Sequence, residues 1–192
     1  MFKIGVLVSG GGSNLQSIID KSKSGELQCK VEVVIGDREC YGVERAKEAG
    51  IDGYTLDRKV LKKELCREID KIVSEKGIDL IVLAGFLSII DEDFVNKWKG
   101  RIINIHPSLL PKFGGPGMYG IRVHEAVLKA GEQESGCTVH YVDTGVDSGE
   151  IIAQKRVKVL EGDTPEILQK RVLVEEHKLL PESIAKIISE RR

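Results

Sequence analysis

Short apolar runs alternate with stretches of helical period along the chain, and each change of period marks an element. Lys3 to Val8 is an apolar run bounded by glycines, the pattern of a buried strand. After Gly10-Gly11-Gly12-Ser13-Asn14, apolar residues at Leu15, Ile18 and Ile19 share one helical face. Val31 to Ile35 reads as a second strand with Gly36-Asp37 as its turn, and Val43 to Ala49 as a helix closed by Gly50 at the C′ position. A short strand over Gly53 to Leu56 precedes a helix predicted over residues 60–76, with Leu61, Leu65, Ile69, Ile72 and Val73 inward and Gly77 as its stop. Asp79 to Ala84 is the most apolar run, as expected of a central strand covered on both faces. Asp91 caps a helix carrying Phe94, Val95 and Trp98, and Gly100 ends it before the strand that holds Asn104 and His106. Val123 to Ala130 is helical, Gly136 to Val142 alternates like a strand, and Ile151 to Val159 returns as another after a loop over Asp143 to Gly149. Thr164-Pro165 opens a last helix that reaches Ile188 with an interruption at Pro181.

Strands alternating with helices at this spacing predict an α/β fold: a doubly wound, mostly parallel sheet with helices on both faces, and an antiparallel edge from the last two strands. With no repeat, linker or low-complexity tract, the 192 residues are expected to form one domain, 1–192. A formal net charge of -1 gives no electrostatic case for nucleic acid as the main partner. No apolar run approaches the roughly 20 residues needed to cross a bilayer, so no membrane partner is expected. The start, Met1-Phe2-Lys3, runs straight into strand-like sequence without a signal peptide. Cys29, Cys40, Cys66 and Cys137 lack metal-ligand spacing and read as reduced thiols of a cytoplasmic protein with no metal.

Two stretches suggest chemistry. The glycine-rich turn at 10–14 stands between a strand and a helix N-terminus, where backbone amides and the helix dipole favour an anion. Leu15 stands where a dinucleotide fingerprint has its third glycine, and there is no P-loop lysine, so the expected ligand is one phosphate monoester. The plainer alternative is a tight turn with Ser13 or Asn14 as N-cap. The second stretch is Asn104-Ile105-His106-Pro107-Ser108-Leu109-Leu110-Pro111. Asn104 and His106 leave one face of a strand at the sheet edge where ligands bind. Asp147, in a glycine-flanked loop, is the best third partner: a carboxylate beside the imidazole orients it and favours its charged form. A charged imidazole and an amide donor stabilise an oxyanion, and the carboxylate can relay a proton. These parts suit acyl transfer to an amine without a covalent intermediate. Ser108 lacks the G-x-S-x-G setting of a nucleophile.

Gly-Gly-Gly-Ser-Asn-Leu at 10–15, Leu-Ala-Gly-Phe at 83–86, the block at 104–111 and Val-Asp-Ser-Gly at 146–149 occur in this order across nearly the whole chain. Together they resemble the folate-dependent formyltransferase family, in particular its glycinamide ribonucleotide branch. The block at 104–111 does not choose the acceptor. The phosphate turn and the lack of an extra domain do, against a formyl-folate hydrolase or a transferase with another amine acceptor. A nucleotide-binding module without catalysis would need no Asn-His-Asp trio. The resemblance implies a phosphate-binding half, about 1–100, and a folate and catalytic half, about 101–192. It implies two small-molecule partners, glycinamide ribonucleotide and 10-formyltetrahydrofolate as co-substrate, and a monomer or homodimer.

Carried over by position, Asn104 would bind the formyl oxygen, His106 would be the cationic electrophile and proton donor, and Asp147 would hold His106 charged. Gly12, Ser13 and Asn14 would hold the phosphate, and Glu176 would contact the glycinamide or ribose. The pterin would lie against Leu87, Ser88, Ile89 and Ile90, beside Asn104 and the loop Asp143, Thr144, Gly145, Val146 and Asp147, with Arg58 supporting the folate. The chain departs from the pattern at Ser88, where many members have arginine, at Gly11, commonly asparagine, and in a longer loop over Gly114 to Ile121. His140 matches a family histidine near the substrate, and it also fits plain strand packing. His124 and His177 read as structural or surface residues.

Overall fold

The seven strands are β1 (Phe2–Val8), β2 (Cys29–Gly36), β3 (Asp52–Thr55), β4 (Leu80–Leu83), β5 (Ile102–His106), β6 (Glu134–Tyr141) and β7 (Ile151–Lys158). The computed structural model describes residues 1–191 and joins these strands in one sheet, ordered β3-β2-β1-β4-β5-β6-β7. The first five run parallel, and β6 and β7 add the antiparallel edge. Alternation along the central strands divides the core. Ile4, Val6, Val8, Leu80, Val82, Ile103 and Ile105 face one layer, while Leu7, Ile81, Leu83 and Ile102 face the other. The first layer is covered by α1 (Ser13–Ser24), α2 (Tyr41–Glu48), α6 (Ile121–Lys129) and α7 (Pro165–Glu190), and the second by α4 (Leu65–Glu75) and α5 (Glu92–Lys97). Ile103 is fully buried and Ile105 nearly so, on either side of Asn104 in sequence. Truncating either to alanine would cost about 2–5 kcal/mol and loosen the strand that carries the polar pair.

Two boundaries differ from the sequence-based expectation. The helix predicted over 60–76 is three pieces: α3 (Arg58–Leu61), a 3₁₀ turn (Lys62–Glu64) and α4. The Asp57 carboxylate accepts the Lys59 amide at 2.7 Å and starts α3 early, and Lys62 at φ 49° breaks it. No residue of α3 or the 3₁₀ turn is fully buried, Leu61 packs only partly on the second core layer, and fully buried positions begin at Leu65. In the other case α7 reaches beyond Ile188 as expected but runs through Pro181 without the expected interruption. A mid-helix proline costs about 3 kcal/mol. The buried residues on either side of it, Leu179, Leu180, Ile184, Ile187 and Ile188, bind the helix to the core and outweigh that loss.

At the start of α7, Thr164 accepts the Ile167 amide at 3.3 Å, and Asp163 holds Arg171 through contacts of 2.5 and 2.8 Å. The guanidinium hydrogen bonds keep the Asp163 carboxyl at about 2. A carboxyl depressed by folding stabilises the fold at pH above its unfolded value, and that contribution is lost as pH falls from about 4 toward about 2. Asp163→Asn is therefore expected to lower stability at pH 7 by roughly 1 kcal/mol. It should also flatten the loss between pH 4 and 2. Urea midpoints across that range test both, and parallel curves for wild type and variant would exclude the pair as a source of acid sensitivity.

Candidate active site

β1 lies between β2 and β4, so the chain leaves the sheet in opposite directions from neighbouring strands and opens a crevice at their C-terminal ends. The glycine-rich turn follows β1 into this crevice. Gly12, at φ 71°, is the N-cap of α1 and offers no side chain to its amides. The first intrahelical bond runs from Gln16 N–H to the Gly12 carbonyl at 2.9 Å, leaving the Ser13, Asn14 and Leu15 amides without helix partners. The expected alternative, Ser13 or Asn14 as N-cap, does not hold: Gly12 takes that place because only glycine adopts this φ cheaply.

Asn14 instead points to α7, donating its Nδ2 to Glu176 Oε2 at 2.6 Å, while its buried Oδ1 has no partner. Glu176 is only 7% exposed, and burial raises its carboxyl above the ordinary range, against the lowering effect of the Asn14 hydrogen bond. A carboxyl raised by folding costs stability as pH climbs past its unfolded value and through its folded one. Glu176→Gln keeps an acceptor for Asn14 and removes the buried charge. Its melting temperature near pH 7 is expected to rise by about 2–4 °C, the equivalent of roughly 1 kcal/mol in a chain of this size. An unchanged or lower melting point would show that the ionised carboxylate is well accommodated.

Three predicted residues meet at the end of β5. Asn104 and His106 share a strand face, as their spacing requires, and His106 is 4% exposed. Its Nδ1 lies 3.5 Å from Asp147 Oδ2, and its Nε2 donates to the Phe113 carbonyl at 2.8 Å. Both ring nitrogens thus face oxygen acceptors. Asp147 sits at φ 55° and its Oδ2 also accepts the Gly115 amide at 3.0 Å. Asn104 Nδ2 donates to His140 Nε2 at 3.1 Å, while His140 Nδ1 donates to the Tyr141 carbonyl at 2.8 Å. Burial lowers the His140 imidazole below its usual range, which keeps the ring neutral and its Nε2 an acceptor. That contact takes one hydrogen of the Asn104 amide and leaves the second for a ligand.

Among the described residues, the remaining folate-assigned positions make no side-chain hydrogen bond to this centre. Leu87 is 44% exposed and Ile89 85% exposed, and Ile90 packs on the second core layer. Ser88 donates to Asp37 Oδ2 at 2.5 Å, so its hydroxyl is committed to a buried carboxylate that Arg38 also holds through two contacts. Asp143 shapes the next loop by accepting Gly145 N–H at 3.0 Å and Ser148 Oγ at 2.7 Å, and Thr144, Gly145 and Val146 are exposed at its tip. Arg58 is exposed at the start of α3, where its amide donates to the Asp37 carbonyl at 3.0 Å. His124 is buried, and burial followed by the charge of His106 drives it down to about 4. His177 is partly buried, and burial lowers it too.

Phe113 and Gly115 escape sequence reasoning because they act through backbone groups. The only signal was the glycine-rich loop itself, in which Gly115 at φ 95° turns the chain so that its amide meets Asp147. The described residues contain no group of three or more His, Cys, Asp or Glu side chains able to hold a metal.

The family of the chain is settled by comparison with known proteins. The family model described as "Formyl transferase" matches residues 2–184. This chain belongs to the formyl transferase family. The chain is 42% identical over 195 residues to a chloroplastic phosphoribosylglycinamide formyltransferase of Arabidopsis thaliana, covering 98% of this chain and 66% of that one. It is 40% identical over 190 residues to the human trifunctional purine biosynthetic protein adenosine-3, covering 97% of this chain but 18% of that protein. The chain thus spans just under two thirds of the plant relative and less than a fifth of the human one. Among solved structures, glycinamide ribonucleotide transformylase 1 from Symbiobacterium toebii superposes with a TM-score of 0.93 at 41% identity, over 100% of this chain and 89% of that one. The seven-stranded formyl transferase fold, mostly parallel with an antiparallel edge, is therefore common to both.

Proposed function

We propose that the chain transfers the formyl group of 10-formyltetrahydrofolate to the amine of glycinamide ribonucleotide, giving formylglycinamide ribonucleotide and tetrahydrofolate in purine biosynthesis. The observation that carries this reading is the placement of His106 between an acceptor carbonyl and the Asp147 carboxylate, beside an Asn104 amide with one spare hydrogen. The substrate amine attacks the formyl carbon, forming a C–N bond and an oxyanion. Asn104 and His106 donate to that oxygen, with the formyl oxygen replacing the Phe113 carbonyl as the acceptor for His106. Asp147 takes the proton lost by the new ammonium through a bound water, and collapse breaks the bond to the folate nitrogen, to which that proton is passed as it leaves.

The Ser13 and Asn14 amides, with Gly12 shaping the turn, suit the substrate phosphate, and Glu176 beyond Asn14 suits its polar body. Exposed Leu87 and Ile89 and the loop Asp143 to Asp147 suit a flat pterin, with Ile90, Ser88 and Arg58 at the margin. Both ligands are small molecules, and no helix among the described residues is long and apolar enough to cross a membrane. The four cysteines are free, which fits the cytoplasm. Incubating the chain with 10-formyltetrahydrofolate and glycinamide ribonucleotide, followed by mass spectrometry, tests the reading. Formylated ribonucleotide with matching tetrahydrofolate is the expected result. Formate released regardless of the ribonucleotide would point to a hydrolase, and no turnover of the folate would overturn the proposal.

A further inference from the structure

The phosphate turn has no lysine of its own, but a side chain from outside the turn holds it from behind. Arg45 of α2 donates its Nε to the Gly11 carbonyl at 2.7 Å across 34 residues of sequence. One residue earlier in the turn, the Gly10 carbonyl accepts the Gly42 amide of the same helix at 2.9 Å. In a trans peptide the C=O and the following N–H point opposite ways. Two consecutive carbonyls aimed at α2 therefore turn the Gly11 and Gly12 amides away from α2. The packing leaves no slack, since a Cβ on Gly12 would stand 2.6 Å from the Gly42 Cα.

The guanidinium itself is fixed in place. Its NH1 donates to Gln16 Oε1 on α1 at 3.1 Å, and its Cζ lies 4.6 Å from the centre of the Tyr41 ring. Among the described residues NH2 has no hydrogen-bond partner. We infer that Arg45 is the positioning residue of the phosphate site: it sets the peptide planes of the turn and places a fixed positive charge beside it. This rests on the reading of the turn as the phosphate site of glycinamide ribonucleotide. The chemistry suits a phosphate monoester, because a planar fork anchored on the turn supplies charge and rigidity together.

The test compares wild type, Arg45→Gln and Arg45→Lys for binding of glycinamide ribonucleotide and of the matching nucleoside without phosphate, with steady-state kinetics for the ribonucleotide. Arg45→Gln is expected to weaken ribonucleotide binding about 10- to 100-fold, as loss of a charge-assisted contact does. The affinity for the nucleoside, the folate KM and kcat should hold within about twofold, since the loss falls on ground-state binding. Arg45→Lys keeps the charge but not the fork, and should recover only part of the loss. Thermal melts confirm that each variant is folded. Equal losses for ribonucleotide and nucleoside, or full recovery in Arg45→Lys, would overturn the positioning role. If the wild type itself binds both ligands equally, the phosphate reading of the turn fails first, and the role of Arg45 with it.

Discussion

Replacing Asp147 by asparagine is expected to lower single-turnover formyl transfer by about 10²- to 10⁴-fold, with substrate affinities little changed. The substitution is a clean probe of charge. Asp147 sits at φ 55°, a region asparagine tolerates, and an amide oxygen can still accept the Gly115 N–H. What the variant cannot do is present a negative charge 3.5 Å from His106 Nδ1 or take a proton from the attacking amine. His106→Ala should cost a similar factor, because it removes the donor to the developing oxyanion. The double variant should be little worse than either single one, as expected of groups that act as a unit. Single-turnover rates for wild type and the three variants decide the matter. Additive losses, or near-normal rates for Asp147→Asn, would detach the carboxylate from the chemistry.

The second large effect is expected at Gly12. A valine there needs a left-handed φ that a β-branched residue rarely adopts, and its Cβ would strike the Gly42 backbone 2.6 Å away. The turn must shift, and with it the amides proposed to meet the phosphate. Affinity for glycinamide ribonucleotide should drop by about 100-fold or more, as several hydrogen bonds to one anion are lost together. Folate affinity should stay near the wild-type value, because the pterin is assigned to Leu87–Ile90 and the loop Asp143 to Asp147 and not to the turn. Calorimetry with each ligand, after a thermal melt to confirm folding, separates the cases. Intact ribonucleotide binding would move the phosphate site elsewhere on the molecule.

The sequence by itself determined the layered α/β architecture, because burial on both faces writes continuous apolar runs such as Asp79 to Ala84, and helices write their own period. It also determined that Asn104 and His106 share a face, since strand geometry allows nothing else at that spacing. Glycine stops at Gly50, Gly77, Gly100 and Gly131 were legible for a local reason: each adopts the positive φ that ends a helix. The tertiary structure decided the rest. Helical period alone could not show that Leu61 belongs to a separate turn, because the left-handed φ of Lys62 that divides it from Leu65 leaves the apolar period intact. The fate of Pro181 likewise depended on how much apolar surface the flanking turns bury. Only the fold set Asp147 next to His106, turned Asn14 onto Glu176 and brought Arg45 to the Gly11 carbonyl. Phe113 and Gly115 hold the trio through a carbonyl and an amide, groups every residue carries, so no residue type could mark them in advance.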